Sequence, residues 1–298
     1  MKLQQIKNVA VIGGGTMGSQ IAELLSNVGE YHVMLWSRRD ETVKRGLDGI
    51  EERLKKFFVD KGKMTQEQMD EIRSRIKGTT DISEAVKDVD YVIESVAENL
   101  DIKKEVFKKL DESTSANTVL ASNSSQLNIT EMASTTNRPD KVLGMHFSNP
   151  VGVMKLVEVV RGMLTSDETV ELACELAKKL GKEPIVCKDF SFGFVANRAY
   201  RALRMEAVQM LWERVASPED IDKALKLGYN LPMGPLELGD FSGAWGTYAI
   251  SEEDAIREMG PEKGQLHPLI RMMVRAGYTG GRGKKGVYAF WEDMMSKW

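Results

Sequence analysis

Two cysteines, Cys174 and Cys187, are the chain's whole thiol complement. They are too few for a disulfide framework and suit a reducing compartment. Three histidines in 298 residues cannot build a histidine-rich metal cluster unaided, so no metal is expected. No apolar run approaches the ~18 residues of a membrane span. Met1 to Gly15 holds a short apolar run ending in glycines, without the long apolar stretch and cleavage site of a signal peptide. An excess of one charge is missing too: 41 Lys and Arg stand against 44 Asp and Glu, a net charge of −3. That balance offers no basic field to nucleic acid or an anionic membrane, and neither is expected as a partner. Internal repeats and low-complexity tracts are absent. What remains is a cytoplasmic globular chain whose length suits two domains, with a core that needs neither metals nor bridges.

The first part of the chain alternates short apolar runs with helical patterns. Val9-Ala10-Val11-Ile12 is continuous and apolar, the mark of a strand buried on both faces. Ile21, Leu24, Leu25 and Val28 then recur at helical spacing, and Val33 to Trp36 reads as the next strand. Thr42 to Arg75 reads as two charged helices meeting near Gly62. Further strands are expected at Tyr91–Ile93, Thr118–Leu120, Val142–Met145, Lys155–Val160 and Pro184–Cys187, with helices at Lys103–Leu110 and Asp167–Leu180. Such alternation implies an α/β fold: a Rossmann-like, mostly parallel sheet flanked by helices. After Asp189 strands nearly vanish, and Val195–Val215, Pro218–Leu227, Pro235–Asp240 and Leu266–Arg275 read as helices. Two domains are therefore expected, 1–188 and an all-helical 189–298. Leu203, Val208, Leu211 and Val215 form an apolar stripe that suits either an internal core or a subunit interface.

Gly13-Gly14-Gly15-Thr16-Met17-Gly18 fits G-x-G-x-x-G between a buried strand and a helix. In that context the glycines turn the chain tightly and admit a pyrophosphate to the helix N-terminus. The next strand ends in Ser37-Arg38-Arg39, where an NAD site usually carries an acid for the ribose 2′-hydroxyl. A serine removes the charge that would repel a 2′-phosphate, and two arginines are able to grip one. NADP(H) is the favoured cofactor, with NAD(H) as the alternative, served by Asp40 or Glu41.

His146 stands at the end of an expected strand, where ligands of open α/β sheets bind. Glu158 lies in the next strand among apolar neighbours, and a carboxylate there needs a partner. An imidazole bonded to it would have a fixed tautomer and a stabilised imidazolium, the attributes of a general base. Ser122-Asn123-Ser124-Ser125 makes a second polar cluster after a strand, suited to capping or to holding a reacting oxygen.

Seven stretches in order carry a family likeness. They are Gly13-x-Gly15-x-Met17-Gly18, Val96-Ala97-Glu98-Asn99 with Lys103, Ala121 to Ser125, Gly144 to Pro150, Met154 to Val160, Gly193 to Arg198, and Met233 to Leu238. Through them the chain resembles the short-chain L-3-hydroxyacyl-CoA dehydrogenases, a family that includes bacterial 3-hydroxybutyryl-CoA dehydrogenases. The resemblance implies reversible oxidation of an (S)-3-hydroxyacyl-CoA to the 3-oxoacyl-CoA, with hydride passing to nicotinamide. It implies His146 as the base, Glu158 behind it, and Ser125 and Asn197 on the 3-oxygen. Gly13, Gly15, Thr16, Met17, Gly18, Ala97, Glu98, Lys103, Ser125 and Asn149 would line the cofactor. Arg53, Lys56 and Lys61, with Lys55 and Lys63, lie where the family receives acyl-CoA. The helical domain would form a homodimer and close the substrate cleft.

Some residues depart from the family's usual pattern. Ser37 replaces the ribose-binding acid, Gln126 a second serine, and Ser148 the second Phe of His-Phe-Phe-Asn-Pro. Gly239 to Trp245 departs from the family's usual segment, where Gly-Leu-Asp is common, and Ser148 and Trp245 would reshape the acyl site if they lie near it. Two alternatives accompany this reading: a dehydrogenase of the same fold acting on a non-CoA hydroxy acid of the sugar-acid type, and a dinucleotide-binding protein without catalysis.

Overall fold

Val9, Ala10, Val11 and Ile12 have no exposed surface, as befits an apolar strand covered on both faces. They belong to the first strand of a computed structural model that describes residues 1–190 and 192–296. The chain divides into two units, Met1–Phe190 and Ser191–Trp298. The first runs β1 (Asn8–Ile12), α1 (Thr16–Asn27), β2 (His32–Trp36), α2 (Asp40–Leu54), α3 (Gln66–Ser74), β3 (Ile76–Thr79), α4 (Ile82–Ala85), β4 (Tyr91–Glu94), α5 (Leu100–Ser113), β5 (Val119–Ser122), α6 (Ile129–Ala133), β6 (Val142–Phe147), β7 (Leu156–Arg161), α7 (Asp167–Lys179) and β8 (Glu183–Lys188).

These strands form one sheet in the order β3-β2-β1-β4-β5-β6-β7-β8. All pairs are parallel except β6 with β7. The chain builds outward from β1 to β3, then returns to build from β4 on β1's other side. That reversal puts the topological switch point between β1 and β4, where open α/β sheets bind ligands. The carboxyl ends of β1, β2, β4, β5 and β6 share one edge of the sheet. The mostly parallel sheet agrees with the sequence reading.

The strand β3 was not expected, because only Ile76 of its four residues is buried. An edge strand needs little apolar surface, so its sequence reads as loop. The long charged stretch before it folds as α2, a π-helical turn at Lys55–Val59 and α3. Gly62 sits between them with φ +65, a conformation that suits glycine.

The second unit is helical: α8 (Ala196–Trp212), α9 (Pro218–Tyr229), α10 (Pro235–Ser242), α11 (Ala244–Ile250), α12 (Glu252–Met259), α13 (Pro261–Gly264), α14 (Pro268–Arg275) and α15 (Val287–Phe290). Its own core gathers Val208, Leu211, Leu236, Trp245, Leu269 and Phe290. Two aspartates, the buried Asp222 and the half-buried Asp240, stitch it together. Asp222 accepts from the amides of Leu236 and Glu237, and Asp240 from those of Val287 and Tyr288. Each carboxylate meets amide donors at the start of a following helix, which have no partner within that helix. No described helix is long and apolar enough to cross a membrane.

Candidate active site

The stretch Gly13–Gly18 leads from the end of β1 into the first turn of α1, and each of its three motif glycines answers a different need. Gly13 has φ +129, and a Cβ there would meet the Ser95 carbonyl oxygen at 2.3 Å. A Cβ on Gly18 would meet the Gly13 oxygen at 1.8 Å, so this glycine lets α1 pack on the strand. A Cβ on Gly15 would meet nothing within 4 Å. The chain itself therefore does not require glycine at Gly15, whereas close approach of a ligand's pyrophosphate does. Gly15 is also the N-cap of α1, and no side chain caps that end. The amides of the first turn are left to an anion. Thr16 and Met17 lie in that turn. These features fit a dinucleotide.

Beside the loop, β2 ends at Trp36, whose carbonyl accepts from the Gly13 amide at 2.9 Å. Ser37 follows, its Cβ 3.3 Å from where a Cβ on Gly14 would stand. Arg38 and Arg39 are exposed, and their guanidiniums make no hydrogen bond or ion pair among the described residues; the Arg39 carbonyl accepts from the Thr42 and Val43 amides at the start of α2. Asp40 and Glu41 lie in the first turn of α2, where the helix dipole favours acids.

The ends of β4 and β5 share a buried network whose centre, Glu94, sequence reasoning missed. Glu94, fully buried at the end of β4, accepts from Lys103 Nζ at 2.7 Å, from the Val96 amide at 2.6 Å and from Ser122 Oγ at 2.6 Å. Lys103 is 1% exposed and also lies 3.3 Å from Glu98. Burial opposes its charge, but the Glu94 and Glu98 carboxylates more than reverse that and hold the ammonium above the usual lysine range. Glu98 in turn accepts from Ser124 Oγ at 2.7 Å, the Ser125 amide at 2.8 Å and Ser125 Oγ at 3.1 Å. Lys103 thus grips two carboxylates from below, and the outer one orients Ser125. Ala97 lies between the two carboxylates in sequence, in the connection from β4 to α5. Asn149, exposed after β6, accepts from Gln20 Nε2 at 3.2 Å, and Gln20 Oε1 accepts from the Val151 amide at 2.9 Å. Gln20 therefore ties α1 to the loop that carries Asn149.

His146 and Glu158 face each other directly across the antiparallel pair β6·β7. Opposed residues in an antiparallel ladder project to the same face, so a separation of twelve residues in sequence becomes a contact. His146 Nδ1 lies 2.8 Å from Glu158 Oε2, with the imidazole side chain 11% exposed and the carboxylate fully buried. An ionised carboxylate only accepts, so Nδ1 carries the proton and Nε2 the lone pair. The nearby Cys187 thiol is pushed up to about 11, chiefly by burial and further by the Glu158 and Asp189 charges. It is a thiol, not a nucleophile, at neutral pH.

The remaining expected residues divide. Lys56 and Lys61 are exposed at the π-helical turn and just beyond it. Arg53 instead bonds Glu23 at 2.6 Å and Ser19 Oγ at 3.3 Å, which ties α2 to α1. Asn197 lies in the first turn of α8, in the second unit. Trp245 does not line an acyl site within its unit: it is fully buried in that unit's core and donates Nε1–H to Asp240 at 2.6 Å. Gly239 makes room for its ring, since a Cβ there would stand 2.2 Å away.

Comparison with known proteins follows the same division of the chain. A family model described as "3-hydroxyacyl-CoA dehydrogenase, NAD binding domain" matches residues 8–190, and one described as the C-terminal domain matches residues 193–290. A 3-hydroxybutyryl-CoA dehydrogenase of Clostridioides difficile is 45% identical, over 95% of this chain and 99% of its own. Human mitochondrial hydroxyacyl-coenzyme A dehydrogenase is 40% identical, over 96% of this chain and 91% of its own. The crystal structure of (S)-3-hydroxybutyryl-CoA dehydrogenase from Ralstonia eutropha gives a TM-score of 0.88 at 39% identity, covering 95% of this chain and 99% of that one.

Proposed function

The chain belongs to the 3-hydroxyacyl-CoA dehydrogenase family, and from that premise we propose that it interconverts (S)-3-hydroxyacyl-CoA and 3-oxoacyl-CoA, with NADP(H) preferred over NAD(H). The observation that carries the reading is the His146–Glu158 pair, on the strand edge that also holds an open-faced glycine loop. Bound at that loop, a nicotinamide dinucleotide would supply the acceptor for the hydride leaving C3. His146 Nε2 takes the hydroxyl proton as the carbonyl forms, and Glu158 stabilises the imidazolium that results. Ser125, anchored to Glu98 through its amide, turns its hydroxyl from that carboxylate to donate to the 3-oxygen, and Asn197 is assigned the same role from its family motif. Lys56 and Lys61 remain candidates for the CoA phosphates. Arg53 is a weaker one, being already engaged with Glu23. The comparisons do not favour the sugar-acid and non-catalytic alternatives.

The cofactor preference rests on Ser37, Arg38 and Arg39. Initial rates of acetoacetyl-CoA reduction should give a kcat/KM about tenfold or more higher with NADPH than with NADH, the worth of one charged hydrogen-bonded contact. Ser37→Asp should reverse the ratio, because the new carboxylate repels a 2′-phosphate and accepts from a 2′-hydroxyl. A wild-type preference for NADH would remove the NADP assignment and leave the reaction class standing.

Dinucleotide binding and proton transfer are assigned to the first unit, and self-association to the second. Leu227, Tyr229, Phe241 and Ile250 are each at least 74% exposed there, an apolar load that a second copy of the chain would cover. Sedimentation equilibrium should report a homodimer, and a monomer at assay concentrations would remove this assignment.

A further inference from the structure

Toward the core of its own unit α8 presents Arg201, Arg204, Ala207, Val208 and Leu211. The last three are apolar members of that core. The first two are guanidiniums, only 8% and 6% exposed, and neither makes an ion pair among the described residues. Arg201 lies 4.7 Å from the centre of the Tyr248 ring and 3.5 Å from the Gly264 carbonyl. Arg204 donates to the Pro235 carbonyl at 3.1 Å and to the Tyr248 hydroxyl, and stands 5.0 Å from the centre of the Tyr200 ring. The Tyr200 hydroxyl is buried and bonds nothing among the described residues. Burial holds Arg201 below the usual guanidinium range, and the Arg204 charge adds to the effect.

Ring faces and carbonyls compensate a buried cation only in part, and two such cations one turn apart repel each other. The cluster is rich in donors, with one hydroxyl left over, and among the described residues no carboxylate bonds either guanidinium. A carboxylate is what its planar forks are shaped to receive. Asn197, Arg201 and Arg204 occupy positions i, i+4 and i+7 of α8, one face of the helix. Arg201 lies about 6 Å and Arg204 about 10 Å along the axis from Asn197. That span is the length of a short acyl chain, so a chain held at its 3-oxygen beside the exposed Asn197 is long enough to bring a terminal group to the guanidiniums where they enter the core.

We propose that Arg201 and Arg204 receive the distal carboxylate of a dicarboxylic 3-hydroxyacyl-CoA, which makes them the specificity-determining residues for the acyl chain. The inference rests on the reading above, in which Asn197 holds the 3-oxygen. A dicarboxylic chain would neutralise the cluster, whereas a monocarboxylic chain would set a methyl group against unpaired charge.

The test compares 3-oxoadipyl-CoA with 3-oxohexanoyl-CoA, which have the same chain length and differ in the terminal carboxylate. Wild-type kcat/KM should favour 3-oxoadipyl-CoA by roughly 10- to 100-fold. In Arg201→Met that ratio should collapse toward one, and Arg201→Lys should restore part of it. Arg204 also ties α8 to Pro235 and Tyr248, so Arg201 is the residue to change. A wild-type ratio at or below one overturns the inference even if Arg201→Met fails to fold. A ratio that Arg201→Met leaves unchanged also overturns it, including the case of an equal loss on both substrates, which would assign the cations to CoA phosphate or to structure. Absence of turnover with every 3-oxoacyl-CoA would instead defeat the proposed function itself.

Discussion

His146→Gln is expected to lower kcat for 3-hydroxyacyl-CoA oxidation by roughly 10²- to 10⁴-fold, the usual worth of a positioned general base. Glutamine is the informative replacement because Glu158 has no exposed surface. A truncation to alanine would strip that buried carboxylate of its donor and cost stability as well as rate. The glutamine amide keeps a donor within reach of Glu158 but offers no nitrogen lone pair to the substrate hydroxyl. Dinucleotide binding, read by quenching or enhancement of nicotinamide fluorescence, should persist, since the glycine loop and the β4 network lie on other strands. KM should change less than kcat, because proton transfer belongs to the transition state. Glu158→Gln should cost less than His146→Gln, since it weakens the imidazolium without removing the base. Turnover of folded His146→Gln equal to wild type would end the assignment of this histidine as base.

The part of the site legible in the sequence is the part written along single strands. The glycine loop shows itself because strand, loop and helix are contiguous. His146 and Glu158 show themselves because each interrupts or ends an apolar run. Their contact needed one further fact, the antiparallel pairing of β6 with β7, which twelve residues of spacing permit but do not dictate. Glu94 was hidden for the opposite reason. At the end of Tyr91-Val92-Ile93 a glutamate reads as the first solvated residue after a strand. Its partners come from a helix nine residues on and a strand 28 residues on, so its burial is a tertiary fact. Arg201 and Arg204 likewise read as solvated charges on an amphipathic helix. The apolar stripe held at Val208 and Leu211, but Val215 at its lower end is 63% exposed, and two arginines extend the buried face in the other direction. The short helices α11, α12, α13 and α15 are of four to eight residues, too brief for a 3.6-residue period to stand out.

Glu94→Leu should be the most damaging single change in the first unit, costing about 3–5 kcal/mol of unfolding free energy. A domain holds only about 5–15 kcal/mol, so urea unfolding should show a much lower midpoint or a partly unfolded protein at the start. The substitution would leave Lys103 charged and buried with Glu98 alone, 3.3 Å away. It would also orphan the Val96 amide and the Ser122 hydroxyl, both of which donate to Glu94 at 2.6 Å. Replacing both partners, Glu94→Leu with Lys103→Met, should recover much of the loss, because an apolar pair of similar volume removes the unpaired charge. Additive losses in the double variant, or a cost for Glu94→Leu below about 1 kcal/mol, would show that the pair is not coupled as the geometry requires. The pH dependence has a definite sign. Lys103 is held above its unfolded value by the two carboxylates, so its contribution is complete below the ordinary lysine range, about 10.4. It is lost as pH rises through the higher folded value. The contribution of Lys103 should thus be level through neutrality and fall in alkali, and the double variant should lack that alkaline limb. The same network sets the floor beneath Ser125. Ser122 Oγ accepts from the Ser124 amide at 3.1 Å, and Lys103 holds the Glu98 that orients Ser125. A double variant that regains stability should therefore still turn over slowly, because packing can replace the ion pair as a support for the fold but not as a fixture for the serine.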